Sequence, residues 1–139
     1  MQRAIELVPD LIGAGFRETG PKHYGHHVLS RDMLNGEIGD IVVARRDTGA
    51  AAYHLSVVLD DEAQGISHVI RGRDLFQSTF VHVALQTLLG LAVPEYHHHR
   101  LIRDEAGNRL AKRDDARAIA KFRTDGATPA DVRAMVGIS

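Results

Sequence analysis

The sequence contains no cysteine and no tryptophan, and aromatic residues make up only 5% of its 139 residues. Without cysteine the chain forms neither disulfides nor thiolate metal sites, which favours a reducing, cytoplasmic location. Long apolar runs are also missing: none approaches the roughly 20 residues that span a bilayer, and the opening MQRAIELVPD lacks the apolar core of a secretory signal. We therefore expect no membrane association. The near balance of 17 basic and 18 acidic residues excludes a histone-like nucleic-acid binder.

Hydrophobic residues at 44% and charged residues at 25% are typical of one globular domain of this length. Helical spacing of apolar residues predicts a short helix over residues 1–12, and repeated glycine with one proline predicts a loop over residues 13–37. The β-branched run DIVVARR, residues 40–46, predicts a strand that ends at the turn DTGA.

From residue 53 onwards the pattern alternates between helix and strand. YHLSVVLDDEAQG predicts a helix that Gly65 ends, SHVIRG predicts a strand, and the next helix is predicted over residues 74–89. EYHHHRLI predicts another strand, followed by helices over residues 114–124 and 129–136, the second with a capping box at Thr128. This order predicts an α/β fold of parallel strands joined by right-handed crossover helices, with short C-terminal helices.

Three consecutive histidines at residues 97–99 raise the question of a metal site. On a strand, successive side chains point to opposite faces, so His98 faces away from its two neighbours. A metal would need distant ligands such as His23, His26 or His27, whereas catalytic zinc is usually held by three convergent ligands. We favour a partly buried strand whose imidazoles bond to backbone or water, and we predict no metal site. A metal-dependent hydrolase built on these histidines is the third functional hypothesis.

The loop GNRLAKRDDA, residues 107–116, lies between a predicted strand and a predicted helix. A lysine there reaches out towards a polyphosphate, although a solvated lysine–arginine pair is the commoner explanation of such a loop. The segment RLAKRDDA resembles the second nucleotide-binding motif, KMSKS, of class I aminoacyl-tRNA synthetases. Together with YHL, DD and IRGRDL upstream, it resembles the catalytic domain of glutamyl-tRNA synthetases. The resemblance is closest to the short branch that glutamylates queuosine in tRNA(Asp).

The resemblance implies three functional residues. Tyr53 corresponds to the tyrosine that contacts the amino-acid substrate, and Arg71 to the arginine that holds the carboxylate of glutamate, a role that suits a planar guanidinium. Lys112 corresponds to the loop lysine that binds ATP and stabilises charge on its phosphates. The other loop residues implied in ATP binding are Arg109, Leu110, Ala111 and Arg113. The residues alone leave a core tyrosine, a surface ion pair and a solvated lysine as alternatives.

The sequence contains only a partial match to HIGH, the first nucleotide-binding motif of the family. The segment Thr19–His27, TGPKHYGHH, is similar in sequence, but Tyr53 follows His27 by only 26 positions and no apolar strand is predicted before the segment. A motif counts only in its structural context, so we interpret this match as chance.

The resemblance then implies the second half of a Rossmann-like class I catalytic domain. It covers residues 38–139 closely, including the KMSKS-like loop at 109–113, and residues 1–37 only loosely. We interpret residues 1–37 as a remnant of the connecting insertion, and we expect the zinc site of the family to be absent from this chain.

The implied function is an ATP-dependent ligase that activates glutamate and transfers it to tRNA, with ATP and Mg²⁺ as substrate and tRNA(Asp) favoured. We expect the chain to be inactive alone, because half of an ATP site does not organise the transition state. Its uncovered half-domain surface predicts self-association or domain swapping. Two alternatives remain: a fragment of an ordinary glutamyl-tRNA synthetase, and a non-catalytic remnant or interaction module.

Overall fold

The computed structural model describes residues 11–103, residue 107 and residues 118–138. The chain falls into two units, Met1–Arg100 and Leu101–Ser139. Most of the helix predicted over residues 1–12 and the whole KMSKS-like loop lie outside the described residues. Among the described helices, none is both long enough and apolar enough to cross a membrane.

The first unit is built on a four-stranded sheet. Its strands are β1 Gly15–Glu18, β2 Gly25–Val28, β3 His68–Gly72 and β4 Glu95–His99, in the spatial order β2-β1-β4-β3. β3 and β4 pair in parallel, β1 also runs parallel to β4, and β1 and β2 form an antiparallel hairpin. The mostly parallel sheet with a helix between β3 and β4 confirms the predicted α/β class.

Helices occupy the segments between and after the later strands. Four α-helices lie among the described residues: α1 Tyr53–Ala63, α2 Phe76–Leu89, α3 Ile119–Thr124 and α4 Pro129–Met135. A 3-10 turn, Arg73–Leu75, joins β3 to α2, and a π-helical turn covers Met33–Ile38. The predictions for α1, β3, α2, β4 and α4 are confirmed, although α2 begins at Phe76 because the 3-10 turn takes the residues before it.

The helix ends follow local signals in the sequence. Gly65 and Gly90 have φ of 65° and 66° just after α1 and α2, a left-handed conformation that glycine adopts without a steric penalty. The predicted capping box at the start of α4 is present. The Asp131 N–H donates to Thr128 Oγ1 at 3.2 Å, and the Thr128 N–H donates to the Asp131 carboxylate at 2.8 Å.

Residues 13–37 are not the loop that their glycines predicted, because β1 and β2 both lie within them. Gly15 belongs to β1, where a side chain would collide with the backbone oxygen of His27 on β2. Glycine is therefore present because two strands approach closely, and composition does not distinguish that role from a turn. A strand thus does precede Thr19, contrary to expectation. The chain then returns as β2, and no helix begins within Thr19–His27.

The prediction of a strand over residues 40–46 is also wrong. The segment makes only an isolated bridge between Ala44 and Ala51, and Val42 is 65% exposed. β-branched residues favour a strand where a neighbouring strand and a covered face are available to them. In the described part of the chain this segment has no such partner, so its composition alone does not produce a strand.

Phe16 of β1 is at the centre of the core and is 2% exposed. Its ring meets Phe80 of α2 at 5.2 Å and Tyr96 of β4 at 5.3 Å between centroids, both edge to face, a geometry that stabilises aromatic pairs beyond the gain from burial. The sheet therefore packs against α2, and this contact holds β1 and β4 beside that helix.

Candidate functional site

Arg71 on β3 is the centre of a group of buried polar side chains. Its Nε donates to His98 Nε2 at 3.1 Å, its Nη1 donates to His82 Nδ1 at 3.2 Å, and its Nη2 donates to Thr79 Oγ1 at 2.7 Å. A longer contact of 3.4 Å joins Nη2 to the Leu75 carbonyl oxygen. The strand β4, the 3-10 turn and α2 therefore hold one guanidinium together.

The charge of Arg71 has no carboxylate among these direct partners. Burial lowers the pKa of Arg71, while Tyr96, Tyr53, Asp61 and Glu18 raise it through their charges. Arginine still keeps its proton over the ordinary pH range. The guanidinium carbon also lies 5.3 Å from the centre of the Tyr96 ring, a cation–π contact. The site thus contains a partly buried cation that is suited to an anionic ligand.

His98 joins Arg71 to the buried carboxylate of Glu18; the two side chains are 1% and 0% exposed. Burial alone would raise the pKa of Glu18, but hydrogen bonds from the His98 backbone and ring and from Gly20 outweigh it and lower this pKa. Burial also lowers the pKa of His98, against the opposing effect of Glu18. The pair is therefore an ionised carboxylate and a neutral imidazole, with the ring nitrogen Nδ1 2.5 Å from Glu18 Oε2.

A second arm of the cluster runs from Arg71 to Tyr53. His82 of α2 is 2% exposed, and burial, the charge of Arg71 and His54 lower its pKa to about 3. His82 is therefore neutral at ordinary pH and accepts from Arg71 through Nδ1. Its proton is then on Nε2, which donates to His54 Nδ1 at 3.0 Å. Tyr53, the first residue of α1, is 58% exposed, and its ring lies 6.1 Å from that of His82 between centroids.

The structure brings together two of the residues that the sequence singled out. Tyr53 and Arg71 both contact His82, so they belong to one continuous cluster. The predicted ATP-binding residues, by contrast, lie outside the described residues; they are Arg109, Leu110, Ala111, Lys112 and Arg113.

Sequence reasoning missed most of the polar partners of Arg71. The expected alternation along β4 is confirmed, since His98 is buried and His99 is exposed. The Nδ1 of His99 lies 2.7 Å from the carbonyl oxygen of Arg100, so the expected backbone partner is confirmed for His99. The ring of His98 instead bonds to the side chains of Glu18 and Arg71, so the expectation is wrong for His98. Glu18 had no local signal, because it is 80 residues from His98 along the chain.

Other parts of the described chain offer no comparable chemistry. Its described residues contain no group of three or more histidine, aspartate or glutamate side chains placed to hold a metal ion. A separate surface depression of about 420 Å³ is lined by Glu37, Ile38, Gln77, Ser78 and Val81. This lining has a carboxylate and no cation, so it does not suit an anionic ligand.

A comparison with known proteins identifies the family. The sequence matches the family described as tRNA synthetases class I (E and Q), catalytic domain, over residues 23–137. The chain belongs to this family. The glutamyl-Q tRNA(Asp) synthetase of Rhodobacter capsulatus is 56% identical over 99% of this chain and 50% of its own length. The glutamyl-Q tRNA(Asp) synthetase of Nocardia farcinica is 48% identical over 76% of the chain and 35% of its own length. This class I synthetase chain thus spans half or less of these relatives.

Solved structures of the same family share the fold. The glutamate-tRNA synthetase from Elizabethkingia anophelis is 31% identical with a TM-score of 0.56, over 72% of this chain and 19% of that one. A glutamate tRNA ligase from Elizabethkingia meningosepticum, in complex with its amino acid, is 34% identical with a TM-score of 0.52, over 65% of this chain and 17% of that one. The sheet and helices of this chain are therefore part of a class I synthetase catalytic fold.

Proposed function

We propose that this chain contributes the glutamate-recognition part of an ATP-dependent ligase that joins glutamate to tRNA, most similar to the glutamylation of queuosine in tRNA(Asp). In this proposal glutamate, ATP with Mg²⁺ and tRNA(Asp) are the substrates, and the cytoplasm is the location. The names of the relatives support the substrate class. The observation that carries the proposal is the cation of Arg71, whose direct hydrogen-bond partners have no negative charge.

A carboxylate fits the donors that Arg71 retains. A guanidinium has five N–H groups, and the described contacts use four of them. The fifth, on Nη1, remains for a ligand. The 3.4 Å contact of Nη2 with the Leu75 carbonyl is the weakest of the four, and a carboxylate oxygen is a stronger acceptor that would replace it. Glutamate thus receives two charge-assisted hydrogen bonds from the terminal nitrogens.

The other two residues complete the proposed chemistry. Tyr53, exposed beside the His82–His54 pair, places a phenol where it contacts the polar groups of the bound amino acid. Lys112, in the KMSKS-like loop, binds the phosphates of ATP as the glutamate carboxylate attacks the α-phosphorus, the bond to the β-phosphate breaks and pyrophosphate leaves. On this proposal residues 38–139 act as the C-terminal half of a catalytic domain, and the chain is inactive without the half that carries the first nucleotide motif.

The proposal is tested by the nucleosides of tRNA(Asp) from the source organism. Four strains are compared by mass spectrometry: wild type, a deletion of this chain, Arg71→Gln and Arg73→Gln. Arg73 is the matched control, because it is an exposed arginine two residues beyond Arg71. We expect glutamyl-queuosine to disappear in the deletion and in Arg71→Gln, and to remain in Arg73→Gln.

The same strains separate the alternatives. Intact glutamyl-queuosine with reduced charging of tRNA(Glu) in the deletion strain would identify a fragment of an ordinary glutamyl-tRNA synthetase. If the deletion changed neither modification nor charging, the chain would be a non-catalytic remnant or interaction module, and the proposed function would be wrong.

The exposed edge of β3 supports one further part of the proposal, self-association. β3 is at one end of the described sheet, and Ile70 on it is 71% exposed. An open strand with an apolar side chain is a template for pairing with another strand. We propose that a second copy of the chain covers this edge when the protein is alone in solution.

A further inference from the structure

Glu18 is a fully buried carboxylate that the proposed function leaves without a role. It ends β1 and is 0% exposed. Its Oε1 accepts from the backbone N–H groups of Gly20 at 2.6 Å and His98 at 2.8 Å, and its Oε2 lies 2.5 Å from the His98 ring nitrogen Nδ1. A buried charge is costly unless it is fully hydrogen-bonded. Because an ionised carboxylate only accepts, Nδ1 of His98 must carry the proton.

The position of that proton determines what His98 offers to Arg71. A neutral imidazole with its proton on Nδ1 has a free lone pair on Nε2. Arg71 Nε donates to this nitrogen at 3.1 Å, and the geometry permits no other direction because arginine nitrogens only donate. Glu18 therefore fixes the tautomer of His98, and the tautomer fixes the acceptor for Arg71.

We propose that Glu18 and His98 are positioning residues, which orient the guanidinium of Arg71 for its anionic ligand. The inference rests on the proposed function, in which that ligand is the carboxylate of glutamate. A planar guanidinium tied at Nε cannot rotate about its long axis, so Nη1 and Nη2 keep one orientation before the ligand arrives. Fixing a binding group in advance reduces the cost of ordering it on binding.

Glu18→Gln tests directly whether Glu18 determines, through His98, the hydrogen bond that orients Arg71. The two backbone N–H groups hold the amide oxygen at the Oε1 position, so the amide nitrogen takes the Oε2 position and faces Nδ1 of His98. Two donors cannot face each other, and His98 must move its proton to Nε2. That proton then opposes Arg71 Nε–H, and the hydrogen bond is lost.

His98→Asn interrupts the same series of hydrogen bonds, from Glu18 through His98 to Arg71, without changing a charge. The asparagine amide still reaches Glu18 but is too short to reach Arg71 Nε. Gln86→Met is the matched control. It removes another buried polar group, 2% exposed, whose partner is the Tyr96 hydroxyl and not Arg71.

The measurement is nitrogen-15 NMR of the labelled 139-residue chain. In the wild type we expect a proton on Nδ1 of His98, a bare Nε2, and an Arg71 Nε–H that exchanges slowly with water. Glu18→Gln moves the proton to Nε2. Both Glu18→Gln and His98→Asn speed the exchange of Arg71 Nε–H by about tenfold, while Gln86→Met does not. A role confined to stabilising the fold would leave this exchange unchanged in folded variants.

A titration with L-glutamate then connects the positioning to binding. We expect Glu18→Gln and His98→Asn to weaken glutamate binding by about tenfold, the lower end of the loss seen when the carboxylate that orients a metal-binding histidine is removed. If the tautomer and exchange results hold but wild-type chain binds no glutamate, the proposed function fails and the positioning of Arg71 stands.

Three results would overturn the inference. They are a wild-type His98 with its proton on Nε2, unchanged Arg71 exchange in either folded variant, and unchanged glutamate affinity in both. If neither variant folds, the tautomer of His98 in the wild type alone decides whether the inference holds.

Discussion

Acidification from pH 7 to pH 5 is expected to destabilise the chain through His82. The pKa of His82 is lowered to about 3 in the folded chain, chiefly by burial and also by the charges of Arg71 and His54. The unfolded chain has the ordinary value of about 6.5. Below pH 6.5, His82 is therefore protonated in the unfolded state but remains neutral in the folded state. The contribution of neutral His82 to the free energy of unfolding is fully present above pH 6.5 and is lost as the pH falls from 6.5 towards 3.

The size of the effect follows from these two values. For one histidine with pKa about 6.5 unfolded and about 3 folded, the free energy of unfolding falls by about 2 kcal/mol between pH 7 and pH 5. Burial lowers the pKa of His98 in the same direction, so its contribution adds to this loss. The pKa of Glu18 is lowered from 4.5, so its contribution is lost below this window.

Urea unfolding of the wild type and His82→Asn at both pH values isolates the contribution of His82. The asparagine oxygen takes the place of Nδ1 as an acceptor for Arg71 but does not titrate. We expect the variant to lose about 2 kcal/mol less than the wild type between pH 7 and pH 5. Gln86→Met, on the same helix, should keep the wild-type loss. An equal loss in His82→Asn and wild type would refute the neutral, buried state of His82.

Further predictions concern the close packing, the open edge and a helix cap. Gly20→Ala should cost at least about 2 kcal/mol in urea unfolding, because a methyl group would lie 2.5 Å from both a Glu18 carboxylate oxygen and the His98 carbonyl; Gly36→Ala, with open space around it, should stay within about 0.5 kcal/mol. Size-exclusion chromatography at micromolar concentration should show a dimer or larger species, which Ile70→Lys dissociates and the exposed control Val42→Lys does not; a monomeric wild type would contradict the proposed edge pairing. Thr128→Ala should reduce the helical content of α4 and cost about 1 kcal/mol, and unchanged circular dichroism and stability would argue against the capping box.

The sequence was most informative where local chemistry determines structure. Gly65 ended α1 as predicted, because a positive φ is a property of the residue itself. The strand that carries Arg71 and the alternation around His98 were likewise readable, since a period of two depends only on the strand. These local signals were sufficient to predict the α/β class and the place of Arg71 near the end of a strand.

The remainder depends on contacts between distant segments. β1 and β2 have only four residues each and contain glycine, and their pairing stabilises them more than their composition does. The partnership of Glu18 with His98 spans 80 residues, so no window of sequence contains it. The segment DIVVARR shows the opposite case. Its residues have a strong preference for strands, but the segment forms no strand because the described chain provides no partner strand for it.

The central claim, put in its sharpest form, is that the Arg71 cation binds the side-chain carboxylate of glutamate, and it is tested most directly by titrating the purified chain with L-glutamate and with L-glutamine by NMR. We expect saturable shifts of the Arg71 side-chain nitrogens with glutamate, loss of binding in Arg71→Gln, and binding of glutamine at least about tenfold weaker because it lacks the side-chain carboxylate. Equal binding of both amino acids, or glutamate binding that Arg71→Gln leaves intact, would contradict the account.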